Sequence, residues 1–265
     1  MSKVNAPPQF DFAARDKYYW SALEEITKQQ GFNLEDLMRN WSAYVMRRDL
    51  IRFFAHYELF KMIVDLPGSI VELGVFRGAS FFSWSNFLET FCSFDRHRKV
   101  YGFDTFEGLG QFTSADDIDS AGRVRKPDPS VLRLPGAFKS DAGMMLKLVE
   151  MHNADSLFPN MDRSNLVIGD LAESLPNFLN DNPGLRFSLV YFDVDLYAPT
   201  RAALDLLYPR IVEGGILCFD EYTLTAWPGE TRAVDEFMAT LPGRPVIRKF
   251  PWAQTPSGYF IKGRS

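Results

Sequence analysis

The chain reads as a doubly wound α/β fold: a mostly parallel sheet of seven strands, helices on both faces, and an N-terminal helical extension. Three observations predict it. Short apolar runs alternate with helix-length segments from residue 69 onward. Glycines stand between the first apolar run and a helix, in Val71-Glu72-Leu73-Gly74-Val75-Phe76-Arg77-Gly78. Several later runs end in aspartate. Alternation of this kind gives parallel pairing, because each helical crossover lets the next strand start in the same direction.

The elements follow in order. Residues 1–12 are polar and Pro-containing and are expected to lack regular structure. Residues 14–65 are expected to be helical. Tyr18, Leu23 and Ile26, and then Leu50, Phe53, Phe54, Tyr57, Leu59 and Phe60, recur at helical spacing. Pro67-Gly68 stops the last of these helices. The boundary therefore falls between an extension, 1–66, and one domain, 67–265. Strands are predicted at 69–73, 99–103, 166–168, 187–192 and 215–219, with 246–250 and 258–261 pairing as a final hairpin. Helices are predicted at 79–91, 141–152, 171–179, 199–208 and 232–241. Residues 110–135 hold Gly, Pro, Asp and Ser without a period, and a loop of that length in a compact domain is usually functional.

Bulk properties narrow the class. With 265 residues, 46% hydrophobic and 24% charged, the chain suits one large α/β domain with additions. A net charge of −5 lacks the basic footprint of a nucleic-acid binder. The run Arg123-Val124-Arg125-Lys126 is flanked by acids and suits, at most, a phosphorylated small substrate. Cys92 and Cys218 form no Cys-x-x-Cys pair, which argues against a disulfide scaffold or a structural zinc and for buried thiols in a reducing cytoplasm. No secretory signal opens the sequence, and no run approaches the ~18 apolar residues of a membrane span. A cytoplasmic protein that binds neither nucleic acid nor membrane is expected.

The first motif reads Glu-x-Gly-x-x-x-Gly, from Glu72 through Gly74 to Gly78. Its glycines permit a sharp strand-to-helix turn and let a ligand touch backbone, and the helix start can receive an anionic group. A plain tight turn explains it as well. Asp104 ends the second strand, where an acid can accept both ribose hydroxyls of a nucleoside. Val167-Ile168-Gly169-Asp170 ends the third strand and can set backbone and a carboxylate near an adenine ring. The dinucleotide pattern Gly-x-Gly-x-x-Gly is missing, because residue 76 is Phe, and so is a Walker motif. A nucleoside with a methionine tail therefore fits better than one with two phosphates.

The reaction signal lies after the next two strands, in Asp193-Val194-Asp195-Leu196-Tyr197 and Asp220-Glu221-Tyr222. If those strands are neighbours, Asp193, Asp220 and Glu221 converge beyond the carboxyl ends, where ligands bind in open α/β sheets. Clustered carboxylates need a positive partner or a proton. A hard cation such as Mg²⁺ is the simple answer, and it would lower the pKa of a bound substrate hydroxyl. Solvated acids capping the next helices are the alternative, and Asp195 suits an N-cap for the helix that holds Pro199. His56 lies on an apolar helix, His97 in a charged run and His152 near a helix end. None neighbours a nucleophile motif, and Gly-x-Ser-x-Gly is absent.

These residues together resemble the macrocin O-methyltransferase family, which modifies sugars on macrolides and related natural products. Besides residues 71–78, the matching blocks are Gly102-Phe103-Asp104-Thr105-Phe106-Glu107-Gly108-Leu109, Asp193 to Tyr197 with Pro199-Thr200, and the upstream Tyr57-Glu58-Leu59-Phe60-Lys61. The resemblance covers roughly residues 50–240. It implies a Rossmann-like class I methyltransferase with S-adenosylmethionine at Glu72, Gly74, Ser80, Asp104 and Asp170. It also implies Mg²⁺ at Asp193, Asp220 and Glu221, a general base at Asp195, and a sugar or similar small-molecule acceptor. The family usually has two aspartates after the fifth strand, whereas this chain has Asp220-Glu221, one methylene longer. Residues 110–135 are expected to form a lid over the acceptor. The aromatic-rich helices before Pro67 are expected to cover the site or to join copies in a homo-oligomer.

Two other classes compete. Tyr57-x-x-x-Lys61 has the spacing of a nicotinamide-dependent short-chain dehydrogenase, but it precedes the first strand, where that chemistry needs it well downstream. A non-catalytic relative that binds the nucleoside alone would need no intact acidic set.

Overall fold

Among the described residues, six strands form a single sheet in the order β3-β2-β1-β4-β5-β6. They are β1 (Ser69–Leu73), β2 (Val100–Asp104), β3 (Ser164–Ile168), β4 (Phe187–Phe192), β5 (Ile211–Phe219) and β6 (Gly258–Ile261). The first five run parallel, and β6 is antiparallel to β5. The coordinates are a computed structural model that describes residues 12–124 and 133–264. Residues 1–11, expected to lack regular structure, and the Arg125-Lys126 end of the basic run lie outside the described residues.

The sheet has six strands where seven were expected. The missing one is 246–250, which keeps only the antiparallel bridge between Arg248 and Tyr259. Pro245 and Pro251 bracket it. Each lacks an amide N–H, so ladder pairing cannot extend past either end.

Strand alternation sorts the core into two layers. Ile70, Leu189, Tyr191, Ile216 and Cys218 face one way, against buried residues of α4 (Arg47–Lys61) and α5 (Ala79–Phe91). Val71, Leu73, Val190, Phe192, Leu217 and Phe219 face the other, against α7 (Leu171–Asp181), α8 (Tyr197–Leu207) and α9 (Pro228–Thr240). Strands β1 and β4 are buried at every position, so they read as unbroken apolar runs and not as alternating ones. The helix before β3, α6 (Ala142–Ala154), starts where Asp141 accepts a hydrogen bond from the Met144 N–H at 2.7 Å. Helix α9 begins four residues before its expected start because Pro228 is pre-shaped for the first turn.

Chain contacts divide the molecule into residues 1–50 and 51–265, and the division falls inside α4. Within the first unit, α1 (Phe12–Gln30), α2 (Leu34–Arg39) and α3 (Trp41–Tyr44) carry exposed Trp20, Leu34 and Met38. A reciprocal box between Asn33 and Asp36 caps α2. From Ile51 onward, α4 joins the sheet core through Ala55, Leu59 and Phe60. The sequence-based boundary at residue 66 thus differs from the contact division by most of this helix. Among the described residues, no helix is long and apolar enough to cross a membrane.

Candidate active site

Strand order reverses between β1 and β4, which opens a crevice beyond their carboxyl ends. The turn from β1 into α5 forms one wall. Gly74 and Gly78 both have positive φ, +86° and +82°. A Cβ on Gly74 would lie 1.9 Å from the Asp193 carbonyl oxygen, and one on Gly78 would lie 2.7 Å from the Met145 methyl and the Phe82 ring. These glycines are thus required by the protein's own packing as well as by the turn. Between them Phe76 adopts φ 52°, unfavourable for an aromatic side chain, and strain of this kind tends to gather at binding sites.

Glu72 and Ser80 are brought together, but with each other. Glu72 is fully buried on the α5 face, where its carboxylate accepts hydrogen bonds from the Ser80 hydroxyl at 2.8 Å and the Trp84 indole N–H at 2.7 Å. Burial pushes its pKa well up, and the two hydrogen bonds oppose that. With both oxygens occupied, Glu72 anchors α5 beneath the turn. Trp84 carries no motif signal; only its helical spacing from Ser80 could have suggested the pairing.

Asp104 lies at the end of β2 and holds three backbone N–H groups. One oxygen accepts from Val75 and Phe76, the other from Phe106, each at 2.7 Å. It therefore ties the glycine turn to its own loop, with little lone-pair capacity to spare. In the register Asp104 pairs with Ile168 of β3, and the Gly169 N–H donates to the Asp104 carbonyl at 3.0 Å. Asp170 follows, exposed, and caps α7 by accepting from the Ala172 N–H at 2.8 Å. Asp104, Gly169, Asp170 and the 46% exposed Ile168 stand side by side. With three backbone N–H groups on it, Asp104 can accept one further hydroxyl and not the two expected of it, and the exposed Asp170 and Ile168 beside it offer a second carboxylate and an apolar face of the kind a nucleoside needs.

The ends of β4 and β5 form the second wall. Their pairing brings Phe192 beside Phe219, so Asp193 and Asp220 emerge next to each other, followed by Asp195 and Glu221. Asp195 is buried and has φ +60°, another non-glycine in the left-handed region. Burial and the Asp220 carboxylate push Asp193 up to about 7. The same two causes, with Asp195 and Asp193 added, push Glu221 up to about 9. Burial, then Asp193 and Asp220, also push Asp195 well up. Glu230 of α9 completes the group. One of its oxygens accepts from the Glu221 N–H at 2.9 Å, and the other is buried without a partner.

A residue that the motifs did not reveal lies across these acids. Arg52 of α4 donates to Asp193 at 2.7 Å, pairs with Asp220 at 3.0 Å, and donates to the Tyr191 hydroxyl at 3.2 Å. Tyr191 in turn donates to the second Asp220 oxygen, and His56 Nε2 lies 3.2 Å from the same phenol. His56, expected as a packed core residue, is 2% exposed, and burial, with Arg52 nearby, lowers its pKa well below the usual imidazole range. Arg52 could have been suspected only from its position one helical turn before His56.

This arrangement corrects the expected metal set. Asp193, Asp220 and Glu221 were to hold Mg²⁺, but a guanidinium already engages the first two, and the remaining Asp220 oxygen belongs to Tyr191. Among the described residues, no three His, Cys, Asp or Glu side chains are placed to hold a metal ion. The residues as arranged do not fit a divalent cation.

Two further expectations change. Asp195 does not cap α8. The helix starts at Tyr197 after Leu196, and the Tyr197 N–H donates to the Asp116 carboxylate at 2.7 Å. Asp116, from the expected lid, is buried and also accepts from the Thr113 N–H and hydroxyl at 2.7 and 2.9 Å. Arg133 pairs with Asp117 and lies over the rings of Phe112 and Trp227. The described part of 110–135 is therefore a tethered wall, and 125–132 lie outside the described residues. Tyr57 packs on Phe87 and Phe91, and Lys61 pairs with Glu58 at 2.9 Å, so neither faces the crevice chemistry that a dehydrogenase needs.

Known proteins share this plan. The family model for macrocin-O-methyltransferase (TylF) matches residues 55–242. Over 167 residues the chain is 29% identical to the 8-demethyl-8-(2,3-dimethoxy-alpha-L-rhamnosyl)-tetracenomycin-C 4′-O-methyltransferase of Streptomyces olivaceus, a match covering 61% of this chain and 55% of that protein. It is 26% identical over 166 residues to the mycinamicin III 3″-O-methyltransferase of Micromonospora griseorubida, covering 61% and 58%. The chain thus spans little more than half the length of these curated relatives. The crystal structure of CalS11, a calicheamicin methyltransferase, superposes with a TM-score of 0.79 at 26% identity, covering 94% of this chain and 93% of that one.

Proposed function

The chain belongs to the macrocin-O-methyltransferase family, and from that premise and the crevice geometry we propose that it transfers a methyl group from S-adenosylmethionine to a sugar hydroxyl of a small glycosylated acceptor. The observation that carries this reading is the convergence of the β4 and β5 acids on the crevice flanked by the Gly74–Gly78 turn and Asp104. The relatives are named for 4′-O-methylation of a rhamnosyl-tetracenomycin and 3″-O-methylation of mycinamicin III, and the rhamnosyl acceptor of the first supports a glycoside acceptor here.

S-Adenosylmethionine, when bound, supplies a methyl group on positively charged sulfur. The chain's own residues do the rest. Asp104 and Asp170 hold the nucleoside, and Gly74, Gly78 and Gly169 keep the backbone close to it. Glu72 and Ser80 stiffen the turn from below. Asp195 takes the acceptor's hydroxyl proton, since no hydrogen bond occupies its carboxylate among the described residues and burial beside Asp193 and Asp220 strengthens its hold on a proton. Asp193 orients that hydroxyl. The acceptor oxygen then bonds to the methyl carbon as the carbon–sulfur pair passes to sulfur. Trp227 is buried beneath the Arg133 guanidinium and gives the tethered wall a water-excluding apolar surface.

Calorimetry with S-adenosylhomocysteine tests the reading. Wild-type protein should bind it, and Asp104→Ala should weaken binding by about 10-fold or more, the worth of a charged hydrogen bond. Failure of the wild type to bind would overturn the methyltransferase reading. Unchanged affinity in the variant would remove the ribose role of Asp104.

A further inference from the structure

We propose that Arg52 is the resident cation of the acidic crevice, a positioning residue whose guanidinium takes the place that a divalent metal would occupy between Asp193 and Asp220. The inference rests on the methyltransferase reading for its meaning, but not for its test.

The geometry is that of a built site. Arg52 spans two neighbouring strand ends, touching Asp193 at 2.7 Å and Asp220 at 3.0 Å. Its helix is locked: Ala55, Leu59 and Phe60 sit in the core, and His56, one turn on, meets the phenol of Tyr191. That phenol bonds both Arg52 and Asp220, so the cation, the acid and the helix form one connected unit. A guanidinium suits the position. It is planar, stays charged at any working pH, and engages two carboxylates at once with little hydration to shed. A metal bound between Asp193 and Asp220 would have to displace the guanidinium from one oxygen of each. The Arg52 side chain remains 35% exposed, so it is held at the edge of the crevice and not sealed in the core. One of the two charges on Asp193 and Asp220 is thereby balanced, and both carboxylates are aimed, without any exchangeable ion.

Manganese binding, read by electron paramagnetic resonance of the full chain after chelator treatment, decides the matter. Wild-type protein is expected to take up no Mn²⁺ that Asp193→Asn abolishes. Arg52→Ala should create a one-to-one site at least about 10-fold tighter than any in the wild type, and adding Asp193→Asn should remove it. Arg52→Lys should keep Mn²⁺ out, because the charge is retained. Arg52→Met serves if the alanine variant does not fold. Stoichiometric Mn²⁺ uptake by the wild type, lost in Asp193→Asn, would overturn the proposal without help from any Arg52 variant. So would folded Arg52→Ala or Arg52→Met protein that binds no more Mn²⁺ than the wild type. S-Adenosylhomocysteine binding, measured on the same samples, reports separately on the methyltransferase reading: its absence sinks that reading and leaves the metal comparison intact.

Discussion

A single missing atom governs the glycine turn. At Gly74 a Cβ would sit 1.9 Å from the Asp193 carbonyl, and φ of +86° is already hostile to other residues. Backbone, not a flexible side chain, blocks the way, so nothing can yield cheaply. Gly74→Ala should therefore destabilise the fold by roughly 3 kcal/mol and shift β1 against β4. Chemical denaturation would measure this, and a loss under about 1 kcal/mol would contradict the close approach. The motif marked Gly74 as special but assigned its neighbour to a ligand. The residue across the gap, Asp193, lies far away in sequence and enters only through strand pairing. The Glu72–Ser80–Trp84 triangle was partly legible, because Ser80 was expected near Glu72, yet its inward direction was not.

Elements show how loops reach across the fold. Helix α8 has no capping side chain of its own, and Asp116 supplies one from 81 residues earlier. The same carboxylate closes a box with Thr113, so one residue ties the wall of the crevice to the helix start. Asp116→Ala should cost about 1–2 kcal/mol, the usual worth of a cap, and should make residues 110–124 cleave faster in limited proteolysis. An unchanged cleavage rate would show that Arg133 and its aromatic contacts hold the wall alone. The strands β1 and β4 and the 215–219 half of β5 were legible as apolar runs because they are buried on both faces. The seventh strand misled because 246–250 has strand-like composition, while its flanking prolines keep the pairing from extending beyond the single bridge at Arg248.

The whole molecule carries an excess of acid at one place, and its stability should record it. Asp193 is raised from 3.8 to about 7 and Glu221 from 4.5 to about 9, chiefly by burial. Between pH values near those ordinary and raised positions, the folded chain binds protons that the unfolded chain releases. Stability contributed by these groups is complete on the acid side, falls as pH rises through the raised values, and levels off above about 9. Glu221→Gln removes the upper part of that fall, so the variant's melting temperature should gain on the wild type as pH rises. Calorimetric melts across the range test the sign, and parallel curves would mean that Glu221 stays ionised in the folded chain.

The order of strands and helices, the glycine turn and the acids at strand ends were set by the sequence itself, because periodicity and local steric limits act over a few residues. The partners of those acids were decided by tertiary structure. Arg52 meets Asp193 and Asp220 from a helix 141 positions before the first of them, and no local pattern encodes a charge that must cross that distance. Neutralising buried carboxylates is a demand of the folded interior, where water no longer screens them, and it is felt only once the chain has closed around them.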